Sequence, residues 1–174
     1  MKKLFFILTV ILSVSVLLGL QQKLNAPEQN ELFTIYLVRH AEKDSGSNPL
    51  LTQCGEERAQ HLNTFLDEVQ LSAVYSTDYK RTMSTALPTS QAKGLDIQQY
   101  SAADLDDFAK LLQEQKQDVL VVGHSNTTGA LAGLLIGEDV GDIDLDTYNR
   151  IYQVVMHKNE GRLHLFHTSF SCNR

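Results

Sequence analysis

The chain is poor in basic residues. Its 15 Lys and Arg stand against 21 Asp and Glu, for a formal net charge of −6. An acidic surface disfavours nucleic acid and anionic lipid as the main partners, since both are bound through cationic patches. It does not exclude a small anionic ligand, because a pocket can be locally positive in an acidic protein. Cysteine is also sparse, with only Cys54 and Cys172. In an oxidising compartment that pair permits a single disulfide, and otherwise it means two free thiols; spacing alone does not say whether the two can meet. Proline is limited to 3 residues, and there is no internal repeat or low-complexity block beyond the N-terminus. With 43% hydrophobic and 21% charged residues, the 174-residue chain has the composition of one ordinary globular domain.

Acids are absent from residues 1–26, which hold Lys2, Lys3 and Lys23. Lys2 and Lys3 precede an apolar run from Leu4 to Leu20, broken by Thr9, Ser13, Ser15 and Gly19. A positive segment followed by a hydrophobic one is the layout of a secretory signal. Leu24-Asn25-Ala26 offers a cleavage site, weakened by Pro27 directly after it. The apolar run is about 17 residues, the lower limit for crossing a bilayer as a helix. Two readings stand: a cleaved signal peptide over residues 1–26, or an uncleaved membrane anchor that tethers the protein through residues 4–20. Both send the remainder out of the cytoplasm, to the periplasm or cell envelope, because the lysines favour staying inside. Residues 27–32 read as a linker and residues 33–174 as the folded domain.

Within that domain, strand and helix patterns alternate. Phe33 to Val38 is a short apolar, β-branched and aromatic run, hence a buried strand. Lys43 to Pro49 is a loop by its Ser, Gly, Asn and Asp content. A helix is expected over about Glu56 to Val69, with Ala59, Leu62, Leu66 and Val69 at helical spacing. Ala73 to Ser76 reads as a second strand, and Thr77 or Asp78 can cap the helix that follows to about Ala92. Pro88 should bend or end that helix. Leu95 to Tyr100 is a weaker strand, and Asp104 opens a helix carrying Leu105, Phe108, Leu111 and Leu112. Val119 to Val122 is the cleanest strand, ending at Gly123-His124, before an apolar helix from Thr127 to Ile136. Gly137 to Asp146 is an acidic loop, expected to be solvated, near the pocket mouth. Ile151 to Met156 and Leu163 to Phe166 form a hairpin through Lys158-Asn159-Glu160-Gly161. This order implies an α/β fold, a three-layer αβα sandwich whose central sheet is mostly parallel with a C-terminal β-hairpin.

The candidate chemistry lies where strands end. Ligands of open α/β sheets bind at the carboxyl ends of the strands. The first strand ends at Arg39-His40 and the fourth at Gly123-His124. If the two strands are parallel neighbours, the two histidines face each other. The second strand leads into Thr77-Asp78-Tyr79-Lys80-Arg81-Thr82, which puts Arg81 in the first turn of a helix at the same edge. Helix N-termini favour anions, and arginine matches a phosphoryl group with a planar fork. Two arginines, two histidines and helix N-termini make a phosphate pocket. Neighbouring cations depress a histidine's pKa and keep a lone pair free for nucleophilic attack. In-line phosphoryl transfer needs little beyond positioning and neutralisation of charge, so no metal or other cofactor is called for. His157, His164 and His167 do not make a metal set, since strand alternation puts His164 and His167 on opposite faces.

Three stretches carry a family likeness: Leu37-Val38-Arg39-His40-Ala41-Glu42-Lys43, Ser76 to Ala86 with its Arg81 and Thr85-Ala86, and Val121-Val122-Gly123-His124-Ser125-Asn126-Thr127. Leu51-Thr52-Gln53-Cys54-Gly55 adds a Leu-Thr-x-x-Gly helix entry. In this order and spacing they resemble the histidine phosphatase superfamily, with its phosphoglycerate mutase-like fold, from about Phe33 to the end. The chain lacks the long insertions of the mutases and acid phosphatases and is similar to the small single-domain branch. The resemblance implies that His40 is the nucleophile that becomes phosphohistidine. It implies that Arg39, Arg81 and His124 hold the phosphoryl group and that Asn126 lines the same pocket. Members usually carry an acidic proton donor in the loop after the third strand, where this chain has Ser101. Asp104 is the candidate general acid, with helix capping as its other role, and Glu42 is the alternative acid. Without either, leaving groups of low pKa such as a phosphoramidate are favoured over alkyl phosphates. The expected activity is metal-independent hydrolysis of a phosphomonoester or phosphoramidate, on a small phosphorylated substrate or a phosphoprotein. The alternatives are a non-catalytic phosphate-binding envelope module and a mutase-like phosphotransferase.

Overall fold

The computed structural model describes residues 32–172; the signal-peptide and anchor readings fall on residues outside this range. Among the described residues no helix is long and apolar enough to cross a membrane. Ten elements follow one another: β1 (Leu32–Arg39), α1 (Gln53–Phe65), β2 (Ala73–Ser76), α2 (Lys80–Lys93), β3 (Ile97–Gln99), α3 (Leu105–Gln115), β4 (Val119–Gly123), α4 (Ser125–Ile136), β5 (Arg150–His157) and β6 (Glu160–His167). The six strands form one sheet in the order β3-β2-β4-β1-β5-β6. The first four are parallel, and β5 and β6 add an antiparallel hairpin beside β1.

Side-chain alternation along β1 divides the interior into two layers. Phe33, Ile35 and Leu37 face a core shared with Phe108 and Leu112 of α3 and with Leu131 and Leu135 of α4. Tyr36 and Val38 face the other side, against Leu62 of α1 and Ala86 of α2. Helices therefore cover both faces, as a parallel sheet with continuously apolar strands requires. Every residue of β2 and β4 is buried. The architecture is the expected three-layer sandwich.

Three local expectations are corrected. Neither Thr77 nor Asp78 caps α2: the N-cap is Tyr79, with no side-chain cap, and Asn48 Oδ1 from the preceding loop accepts the Lys80 N–H at 2.9 Å. Thr77 instead donates its hydroxyl to Thr82 Oγ1 at 3.0 Å. Pro88 does not end α2, which continues to Lys93. Buried Thr85, Ala86, Thr89 and Ser90 hold the helix on both sides of the proline, so packing outweighs the one missing backbone donor. The 137–146 loop is not simply solvated. Ile143 is 2% exposed and its N–H donates to the Ser125 carbonyl at 2.8 Å.

Candidate functional site

The register of the sheet assembles the site. β1 and β4 pair in parallel with Arg39 opposite Gly123, so the next residues, His40 and His124, leave the sheet side by side. Their rings meet edge to face at 73°, with centroids 5.5 Å apart. The His40 N–H donates to the Gly123 carbonyl at 2.9 Å, which continues the ladder one step and fixes the first histidine. A side chain at position 123 would collide with the Tyr100 hydroxyl and Thr127 Oγ1, which lie 2.7 and 2.8 Å from where its Cβ would stand. Gly123 thus lets β4 end against buried neighbours.

α2 brings the second arginine. Thr85 ties it to the histidine loop: its Oγ1 accepts the Ala41 N–H at 3.0 Å and donates to the Arg81 carbonyl at 2.7 Å. One hydroxyl so links the first turn of α2 to the residue after His40. On the other side of the loop, Thr52 caps α1 by accepting the Gly55 N–H. A Cβ on Gly55 would strike the Glu42 carbonyl, which gives the Leu-Thr-x-x-Gly entry a steric cause.

The electrostatics favour neutral histidines. His40 is 3% exposed, and burial, reinforced by Arg39, Arg81 and His124, pulls its pKa down to about 3. Burial and the same two arginines pull His124 down to about 4. His40 Nδ1 lies 2.7 Å from the Ala41 carbonyl. A carbonyl only accepts, so Nδ1 carries the proton and Nε2 keeps its lone pair. Near this dyad, Arg39 Nε, Arg81 Nε and His124 Nε2 are buried with no hydrogen-bonding partner within the protein. Buried polar atoms of that kind are costly unless a function needs them.

Each expected site residue has a place. Arg39, His40, Arg81 and His124 come together at the sheet edge. Arg39 is not presented as a free fork, however. Its Nη1 donates to the carbonyls of Asp144, Leu145 and Thr147, at 3.1, 2.6 and 3.2 Å, and its Nη2 lies 3.4 Å from the Tyr148 hydroxyl. The guanidinium also stacks on the Tyr148 ring at 4.2 Å. The acidic loop is therefore strapped to the site by Arg39. Asn126, the second residue of α4, is exposed. Asp104 is exposed at the N-cap of α3, and its side chain makes no capping bond. Glu42 is engaged in a two-pronged ion pair with Arg58, with contacts of 2.6 to 3.0 Å. The two cysteines are joined in a disulfide.

Sequence reasoning passed over the tyrosines. Arg81 stacks on Tyr79 at 4.4 Å, and the Tyr79 ring meets His124 edge to face at 5.0 Å. Tyr148 lies 6.3 Å from the His40 ring. Tyr79 was within reach of the sequence, two residues before Arg81 in a stretch already singled out. Tyr148, about a hundred residues from His40, left no local signal.

Comparison with known proteins agrees with this geometry. No curated protein matches the sequence. The alpha-ribazole phosphatase from Shigella flexneri is similar in structure, at a TM-score of 0.67 and 18% identity, covering 82% of this chain and 100% of that one. The protein histidine phosphatase SixA, solved with tungstate, is similar at 0.65 and 18% identity, covering 78% and 97%. A mycobacterial glucosyl-3-phosphoglycerate phosphatase reaches 0.65 at 14% identity, covering 79% and 100%. These identities speak for a shared fold. The family profile of the histidine phosphatase superfamily (branch 1) matches residues 35–109, the span that holds the Arg39-His40 strand exit and the Arg81 helix. With that profile, this fold and the paired histidines at one sheet edge, the chain is similar to the histidine phosphatase superfamily.

Proposed function

We propose that the protein is an exported, metal-independent phosphatase working through a covalent phosphohistidine on His40. The observation that carries this is the ring of buried, unpartnered nitrogens, Arg39 Nε, Arg81 Nε and His124 Nε2, close to a histidine whose Nε2 is held neutral. Donors of this kind suit the oxygens of a phosphoryl group, and fixed cations would neutralise charge as it develops in the transition state. His40 Nε2 attacks phosphorus, the bond from phosphorus to the leaving group breaks, and the electron pair departs with that group. Water then attacks the phosphohistidine, releases phosphate and returns the lone pair to Nε2.

The leaving group needs a proton unless its pKa is low. Glu42 is engaged by Arg58, Ser101 stands where an acid is usual in the family, and Asp104 is exposed and unengaged. Asp104 is the proposed general acid for poor leaving groups, and phosphoramidates or aryl phosphates are the favoured substrates. The similar structures belong to phosphatases of different named substrates, so what carries over is the phosphoryl group. Export is supported by the N-terminal sequence and by the Cys54–Cys172 disulfide.

The test is hydrolysis of p-nitrophenyl phosphate in EDTA by the wild type and by His40→Ala. Turnover that survives EDTA, vanishes in the variant and proceeds through an acid-labile phosphoenzyme is expected. Phosphate binding without turnover in the wild type would replace this reading with the binding module.

A further inference from the structure

The sheet order lines up four aromatic rings along one edge. Tyr79 follows β2, His124 follows β4, His40 follows β1, and Tyr148 precedes β5. Because β2, β4, β1 and β5 are consecutive in the sheet, and β5 runs antiparallel with Ile151 opposite Val38, all four stand at the same end. Successive centroids are 5.0, 5.5 and 6.3 Å apart, close to the spacing of neighbouring strands. The outer two rings are tyrosines that flank the histidine dyad. Each is held by the arginine of its own side, Tyr79 under Arg81 and Tyr148 under Arg39. Neither tyrosine is withdrawn into the core. Tyr79 is 40% exposed, and Tyr148 is half-buried.

We infer that Tyr79 and Tyr148 form an aromatic jaw that selects substrates with a planar aromatic leaving group. The inference rests on the phosphatase reading, in which His40 attacks phosphorus and the leaving group departs past the two flanking tyrosines. Tyrosines whose rings are fixed by cation stacking offer contact area with little rotational freedom left to lose. Aromatic pairs favour offset or edge-to-face contact beyond simple burial. An alkyl leaving group would gain much less from the same surfaces. Tyr79 and Tyr148 are thus specificity-determining residues, and through Arg81 and Arg39 they are also positioning residues.

The experiment compares two non-hydrolysable probes, phenylphosphonate and methylphosphonate, titrated calorimetrically into the full chain. Both present the same phosphoryl-like group, so the ratio of their dissociation constants isolates the jaw. The wild type is expected to bind phenylphosphonate about tenfold or more tightly than methylphosphonate, the fold-change that one or two aromatic contacts supply. Tyr79→Ala and Tyr148→Ala should each lower that ratio, while Tyr79→Phe should retain it. Shifts of Arg81 or Arg39 in the alanine variants would weaken both probes together and leave the ratio unmoved. A wild-type ratio near one, with both probes bound, overturns the jaw and leaves the phosphatase reading standing, as does a ratio that survives both alanine variants. If neither probe binds and p-nitrophenyl phosphate is not turned over, the phosphatase reading fails and the jaw with it.

Discussion

His40 and Glu42 are two residues apart at the exit of one strand, yet they sit in opposite kinds of environment. Around His40 the buried nitrogens of Arg39, Arg81 and His124 include atoms with no partner in the protein. Around Glu42 the groups are paired. Both carboxylate oxygens accept from Arg58, Arg58 Nη1 donates to the Phe170 carbonyl at 3.2 Å, and the guanidinium stacks on the Phe170 ring at 4.9 Å. The Cys54–Cys172 disulfide closes the same cluster, bringing the C-terminal segment onto α1. The contrast assigns roles. Groups satisfied within the protein hold the strand exit in place, and groups left unsatisfied are held for something else to satisfy. Replacing the first kind should cost stability, and replacing the second should cost activity while leaving stability nearly untouched.

The largest effect is expected from the disulfide. It spans a sequence separation of 118 residues, and a loop of that size corresponds to roughly 4–5 kcal/mol in the chain-entropy account. The Cys54→Ser and Cys172→Ser double variant should therefore unfold at markedly lower denaturant concentration. Arg81→Ala comes next and should separate the two regions most sharply. Loss of one fixed donor costs about 3–4 kcal/mol of transition-state binding, or about 10² to 10³ in kcat/KM. The melting temperature should barely change, since the variant removes a buried unpartnered Nε and a cation from a helix N-terminus. A large drop in melting temperature would break the contrast. Arg58→Ala should do the reverse. It leaves Glu42 without its partner, and because the two side chains are 12% and 18% exposed, the loss should be about 1–3 kcal/mol of stability, below the figure for a fully buried pair. Activity at a temperature where the variant is folded should remain near wild type.

Much of the site could be read from the sequence because its parts are local. Apolar runs that stop at Arg39-His40 and Gly123-His124 mark strand ends whatever the rest of the chain does. The Thr52-to-Gly55 entry and the position of Arg81 in a first helical turn are equally short-range. The features that escaped are set by tertiary pairing. Arg39 meets carbonyls of residues 144 to 147 because β5 returns antiparallel to β1, and no periodicity encodes that return. Asn48 caps α2 from 32 positions upstream, displacing the nearer Thr77 and Asp78. The disulfide depends on where the C-terminal segment runs, so spacing could permit it but not establish it. Pro88 misled in the other direction: the local rule favours a break, and the buried face of α2 outweighs it.

A change in stability is also expected on mild acidification, and it sharpens the same contrast. His40 and His124 have folded pKa values of about 3 and about 4, below the ordinary 6.5. As pH falls through 6.5 both histidines take up protons in the unfolded chain but not in the folded one, so the unfolded state gains and stability declines. This component is fully present above pH 6.5, declines toward the folded values of about 4 and about 3, and changes no further below them. The same depression predicts that kcat/KM shows no enzyme ionisation at the ordinary histidine value, because His40, the proposed nucleophile, is already neutral there. Asparagine titrates nowhere in this range, so the His40→Asn and His124→Asn double variant should lose this part of the pH dependence of stability. Denaturant midpoints measured between about pH 7 and pH 5 would show it. Parallel curves for variant and wild type would mean that the histidines are solvated as freely as in the unfolded chain. In that case the site would not hold His40 neutral by burial, and the contrast with the paired Glu42 cluster would fail.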